Sequence, residues 1–329
     1  MNKFEKTRAL DTRYAYACGV IRAKETKLFD EKRFERFISS EDARELTSAL
    51  HDSDYGPYFR NIDSPHKYED AFLEARVDLF NEIENLIDEP KFMRVLRGRF
   101  DFHNLTVLLK GKIADKDFTP YCSPLGSIPS EELTEIFKEE SYNKLPFYIQ
   151  ETIETGIEAY FTHHHNLFLL NLSIDREMAK FLTTYPENDF LCEYYKRWVD
   201  VTNLKTIIRL FFLNRYQELS LFALLQGGFI PKEEILRGKL ESVDNLSLLY
   251  HRTVYSSLLE YKESFSDIEK AAESLLLLFL RSVAYESIGV EPIISYLFQR
   301  ENEVRNIRLT FIGKINEVDD KVIKERLIL

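Results

Sequence analysis

The chain has 329 residues, more than one hydrophobic core usually serves, with 44% hydrophobic and 30% charged residues and only 11 glycines. That balance suits long amphipathic helices better than turn-rich sheet. A formal net charge of −11 argues against a surface built to embrace a phosphate backbone or anionic lipid, since both need a basic footprint.

The first residues, Met1-Asn2-Lys3-Phe4-Glu5-Lys6-Thr7, carry no apolar core of the kind a secretory signal needs. Cys18, Cys122 and Cys192 lie far apart without a Cys-x-x-Cys pair, so they form neither a disulfide framework nor a zinc signature, and a reducing, cytoplasmic setting is expected. Phe72, Leu79, Phe80, Ile83, Leu86 and Ile87 recur at steps of three and four and predict an amphipathic helix. Residues 204–212 and 274–285 are apolar on most sides, as in helices enclosed by neighbours; Arg281 interrupts the second run, and no segment approaches the apolar length that crosses a bilayer. Breaks are expected at Tyr55-Gly56-Pro57, Ser123-Pro124, Pro186, Gly227-Gly228 and Glu291-Pro292. The fold class is therefore all-α.

A concealed repeat runs through the chain. Asn104, Asn203 and Asn306 each follow an acid by three positions (Asp101, Asp200, Glu303), and each precedes a branched aliphatic residue (Leu105, Leu204, Ile307). Glu89-Pro90 and Gly111-Lys112-Ile113 around the first Asn match Glu291-Pro292 and Gly313-Lys314-Ile315 around the third. The first two copies also share a downstream signature, residues 126–133 (GSIPSEEL) against 228–235 (GFIPKEEI), which reads as a helix start: Gly for an unusual backbone angle, Pro in the first turn, two Glu at the positive end. Three similar helical-bundle domains follow, at 1–137, 138–239 and 240–329. The acid and the Asn share a helical face, and because Asn is a mediocre helix former, its recurrence at mid-helix predicts a buried polar brace rather than a catalytic pair.

Other candidates are weaker. His163-His164-His165 are adjacent, and on a helix they would point about 100° apart and could not converge on one metal ion, so an ordinary helix turn is expected. Asp319-Asp320, Glu131-Glu132 and Glu233-Glu234 lack a partner base or nucleophile and read as solvated helix ends. Gly227-Gly228 has no following Lys-Ser/Thr and makes no phosphate loop. Phe161, Phe168, Tyr194, Tyr195, Trp198, Phe211 and Phe212 are assigned to domain interiors, and Arg300, Arg305, Arg308 and Lys314 form a mild basic cluster that reads first as a solvated helix surface and second as a face for a partner. No catalytic, cofactor-binding or metal-binding residue is expected.

Residues 291–296 (EPIISY), 301–308 (ENEVRNIR) and 313–315 (GKI) resemble the C-terminal signature of the C subunits of V-type and archaeal-type rotary ATPases. Tyr14-Ala15-Tyr16-Ala17-Cys18-Gly19-Val20-Ile21-Arg22 resembles that family's Tyr-x-Tyr-Ala-Asn-x-x-Val-Arg opening, with Cys18 in place of Asn, and residues 200–204 (DVTNL) resemble its central motif. The resemblance implies a pseudo-threefold funnel of three helical domains, the counterpart of the d subunit of the eukaryotic V-ATPase. It further implies a non-catalytic rotor component that couples a shaft of D and F subunits to the membrane proteolipid (c/K) ring of a proton- or sodium-translocating complex. It would sit on the cytoplasmic face, one copy in the hetero-oligomer, with no nucleic acid, cofactor or lipid insertion. A helical repeat adaptor of an unrelated cytoplasmic complex and a helical metal-dependent hydrolase are the alternatives the residues leave open.

Overall fold

The computed structural model describes residues 12–60, 62, 67–238 and 240–329, and among them every regular element is helical and no strand occurs. Four short helices come first: α1 (Ala15–Glu25), α2 (Glu31–Ile38), α3 (Ala43–Leu50) and the single turn α4 (Gly56–Phe59). Asp30 and Asp42 start the second and third, their carboxylates accepting from the N–H of Arg33 at 2.9 Å and from those of Arg44 and Glu45 at 2.8 and 2.9 Å. α5 (Tyr68–Ile87) buries Phe72, Leu79, Phe80, Ile83 and Ile87 from the amphipathic stripe, and a left-handed Asp88 ends it.

α6 (Pro90–Ala114) opens on a proline whose missing N–H costs nothing at a first helical position. α7 (Ser130–Glu139), α8 (Phe147–Thr162), α9 (Leu167–Thr184) and α10 (Asp189–Phe212) follow, with Asn166 and Asn188 capping the last two through their side-chain oxygens. Next come α11 (Tyr216–Ala223), α12 (Lys232–Arg237), α13 (Leu246–Tyr250) and α14 (Phe265–Arg281), and α15 (Glu291–Ile315) and α16 (Asp320–Arg326) close the chain.

The described residues fall into two compact units, one holding those up to Asp88 together with Leu277–Leu329, the other Glu89–Leu276. In the Glu89–Leu276 unit, α9 packs on α6, α8, α10 and α11. Leu204, Ile207 and Ile208 of α10 share a core with Leu246, Tyr250 and Ile268. In the unit made from the two chain ends, α15 packs on α1, α2, α3, α5 and α16. Its Ile307 and Phe311 meet Phe34, Phe37, Phe59 and Phe72 from the N-terminal helices. Phe59 and Phe72 lie edge to face at 4.9 Å, and Phe311 stacks on Tyr68 at 5.4 Å.

Two expectations about apolar runs need correction. The 274–285 segment is helical only to Arg281, with Leu278 67% and Tyr285 98% exposed. Phe161, Phe168 and Phe212 are exposed, whereas Tyr195 is buried and Tyr194, Trp198 and Phe211 are half-buried. The three exposed rings stand within two residues of a helix end, where the face that points inward is lost to the turn.

Candidate functional site

The three asparagines do one job in three places. Asn104 on α6 donates from Nδ2 to the carbonyl of Ser123 at 2.9 Å and accepts the N–H of the same residue on Oδ1 at 2.7 Å. Asn203 on α10 grips Leu225 in the same way, at 3.0 and 2.8 Å. Asn306 on α15 grips Ile328 at 2.6 and 3.2 Å. A side-chain amide presents a donor and an acceptor side by side and so satisfies the N–H and the carbonyl of one residue together, and each Asn ties a returning loop to its helix as a strand partner would. All three are buried, and so are Leu225 and Ile328, whose N–H and carbonyl would find no water if the amide were removed.

The acid one turn earlier holds the next loop segment. Asp101 accepts from the N–H groups of Ser127 and Ile128 at 2.7 and 3.2 Å and from the Ser127 hydroxyl at 2.6 Å. Asp200 accepts from the N–H groups of Phe229 and Ile230, both at 3.1 Å, and from the Tyr255 hydroxyl at 2.6 Å. These loops lead into α7 and α12, whose prolines, Pro129 and Pro231, stand at the N-cap with ψ near 135°, one residue ahead of the first turn where the sequence pattern placed them.

The glycine of the helix-start signature is explained by the same carboxylates. A Cβ at Gly126 would lie 2.7 Å from Asp101 Oδ1, and one at Gly228 would collide with Asp200 Oδ1. Gly228→Ala should therefore push the loop off Asp200 and destabilise the chain by about 1–3 kcal/mol, as overpacking does, read as a lower midpoint in urea. An unchanged midpoint would show that the loop does not depend on this approach.

Burial raises all three acids. Desolvation outweighs the hydrogen bonds from Ser127 and Ile128 and pushes Asp101 up to about 6; Asp200 and Glu303 are raised for the same cause. With its carboxyl titrating near 6 when folded and near 3.8 otherwise, Asp101 makes the folded chain bind more protons than the unfolded one between those values. Its contribution to stability is thus complete below about pH 4 and is lost as pH rises through 6, a change on the order of 3 kcal/mol. Asp101→Asn should gain on the wild type by that order between pH 4 and 7 in parallel urea titrations; a constant difference would exclude the assignment.

On α15 the acid is one methylene longer and its loop comes from the other end of the chain. Glu303 accepts from the Phe29 N–H and from the Tyr55 hydroxyl at 2.8 Å, and Arg300 Nη1 donates to it at 2.5 Å. Tyr55 is thus the counterpart of Tyr255, and burial beside a carboxylate raises both phenols, which stay donors. The likeness extends to their turns: Ser53 and Thr253 each donate to a carbonyl three residues back and accept from the tyrosine N–H two residues on. The displacement is 200 residues, and residues 50–55 (LHDSDY) against 250–255 (YHRTVY) carry it in sequence, too faintly to stand out as a repeat.

The glycines shared by the first and third copies have a packing reason. A Cβ at Gly313 would lie 2.5 Å from Ile323 of α16, and one at Gly111 would lie 2.9 Å from the Lys116 carbonyl. In both places the chain doubles back against the helix it has just left.

The family model for the ATP synthase (C/AC39) subunit matches residues 17–326. This chain belongs to that family. Similar proteins include the A-type ATP synthase C subunit of Methanocaldococcus jannaschii, 26% identical over 96% of this chain and 86% of that protein. The V-type sodium ATPase C subunit of Enterococcus hirae is 26% identical over 94% and 96% respectively. The A-type ATP synthase C subunit of Methanosarcina acetivorans is 23% identical over 99% and 96%.

In this C/AC39 member, Cys18, which replaces the asparagine of the opening motif, is buried and donates its thiol to the Gly289 carbonyl at 3.0 Å; burial raises its pKa. The histidine trio is not on a helix. α8 ends at Thr162, and His164 and His165 take left-handed conformations (φ 56° and 62°) that reverse the chain into α9. His163 packs on Phe222 and His165 on Tyr160 and Phe161, so the rings diverge into separate aromatic contacts. Among the described residues no group of three or more His, Cys, Asp or Glu side chains could hold a metal ion, and no helix is long and apolar enough to cross a membrane.

The basic cluster also divides. Arg300 is buried against Glu303, Arg308 pairs with Glu69 at 2.8 Å, Lys314 pairs with Asp320 at 2.7 Å, and Arg305 is exposed. Asp319 caps α16 through the Lys321 N–H, while Glu131, Glu132, Glu233 and Glu234 lie in first helical turns.

Proposed function

We propose that the chain is a non-catalytic central-stalk component of a V-type proton- or sodium-translocating ATPase or ATP synthase. In this reading it couples a shaft of D and F subunits to the proteolipid ring, one copy per complex, on the cytoplasmic face of the membrane. The observation that carries the proposal is the family match across residues 17–326, with relatives that are C subunits of A-type ATP synthases and of a V-type sodium ATPase. The repeated brace on α6, α10 and α15 supports it physically, because transmitting torque calls for stiff lobes whose loops are tied to their helices rather than for a reactive group.

The proposal includes three lobes set round a pseudo-threefold funnel, divided near 137/138 and 239/240. Residues such as Phe29 and Tyr55 then serve the lobe built on α15. Copurification tests the reading. Tagged chain drawn from detergent-solubilised membranes should bring down shaft and proteolipid subunits; recovery of neither would leave the unrelated adaptor as the better account.

A further inference from the structure

We propose that the groove between α15 and α16 is a docking site for an amphipathic helix of a partner protein, one that carries Asp or Glu along the edges of its apolar face. The groove has a volume of about 500 Å³. Its floor is apolar: Leu309 and Ile312 of α15, Val318 of the turn and Val322 of α16. Ile312, Val318 and Val322 are 43%, 38% and 41% exposed.

The rim decides the chemistry of the occupant. Arg305, Arg308 and Arg326 line the groove, and no carboxylate does so among the described residues, in a chain whose formal net charge is −11. Arg308 is held by Glu69, while Arg305 and Arg326 are exposed, and neither has an ion pair among the described residues. The acids of the α16 segment point elsewhere: Asp320 to Lys314 at 2.7 Å and Glu325 to Lys321 at 4.0 Å. Guanidinium groups flanking an apolar trough match carboxylates flanking an apolar ridge, with planar forks suited to bidentate pairing.

A helix fits better than the other occupants. Two helices form the walls, so there is no strand edge for an extended peptide to augment, and side chains at i, i+3, i+4 and i+7 of a third helix would follow the trough. An anionic bilayer is disfavoured, because the patch is concave and the chain's overall charge repels such a surface. Gly313 contributes by letting Ile323 of α16 approach α15 closely, so that Ile323 is buried at the bottom of the trough.

The test places the photocrosslinker benzoylphenylalanine at position 312 of the full chain in cells that express its native partners, then maps the adduct by peptide mass spectrometry. The expected adduct lies on another protein, in a segment whose apolar residues repeat with helical period and are flanked by Asp or Glu. Its yield should fall about tenfold when R305E and R326E are combined, and survive the R305K and R326K pair. Both substitutions are on exposed side chains, and matching melting curves confirm that the variants fold. An adduct on lipid, on a second copy of this chain, within the chain itself or on a non-acidic segment would overturn the proposal. So would a yield indifferent to charge reversal, or no adduct at all. The outcome is read whether or not shaft and ring subunits copurify, so failure here and failure of the rotor reading are distinguishable.

Discussion

Replacing Asn203 with Leu should lower stability by about 4 kcal/mol, through the two hydrogen bonds it strips from Leu225. Asn203 is completely buried and the Leu225 N–H and carbonyl have no route to water, so each orphaned group costs its desolvation, about 1–3 kcal/mol. The extra apolar volume of Leu recovers little, because the site is shaped to an amide beside Asp200. The loss should appear as a lower urea midpoint with no change in the dependence on denaturant, and Asn104→Leu and Asn306→Leu should behave alike. A midpoint within error of the wild type would mean that the amide does not brace the loop.

Arg300→Met should cost a similar amount, about 3–5 kcal/mol at neutral pH, because it leaves Glu303 buried without its cation. Arg300 also lies 4.3 Å over the Tyr55 ring, so the substitution removes a cation–π contact as well as a charge. The pH dependence has a definite sign. Glu303 is already raised by burial, and Arg300 is the main influence holding it down. Removing Arg300 raises the folded value further, so the variant should recover stability on acidification and lose it as pH rises, more steeply than the wild type. Arg300→Met combined with Glu303→Gln should regain most of the loss, since Gln keeps an acceptor for Tyr55 and Phe29 and brings no charge. Equal destabilisation in the single and double variants would show that packing, not charge, is at stake.

The helices and the brace positions were legible because their signals are local. The stripe on α5 and the acid–Asn spacing on α6, α10 and α15 need only a few residues of context. The resemblance that pointed to the family rested on motifs of that kind. What stayed hidden depended on distant or conformational facts. Tyr255 follows its acid, Asp200, by 55 residues, whereas Tyr55 precedes Glu303 by 248, so a repeat followed forward from each acid does not meet the loop that serves Glu303. The histidines could not be placed from helical spacing, because two consecutive left-handed residues are a property of the turn. Arg300 looked like one more surface cation; only the fold puts Glu303 and Tyr55 around it.

The joining of Phe29 and Tyr55 to Glu303 has a consequence for biosynthesis. When the N-terminal helices leave the ribosome, the carboxylate that will hold them is up to 274 residues from being made. At about 5–20 residues per second the wait is roughly 15–55 s. Phe34, Phe37 and Phe59 have no α15 to cover them during that time, whereas Glu89–Leu276 can begin to consolidate on its own. A chain cut short before Glu303 would therefore keep every residue of the Glu89–Leu276 unit but leave Phe34, Phe37 and Phe59 without the helix that covers them.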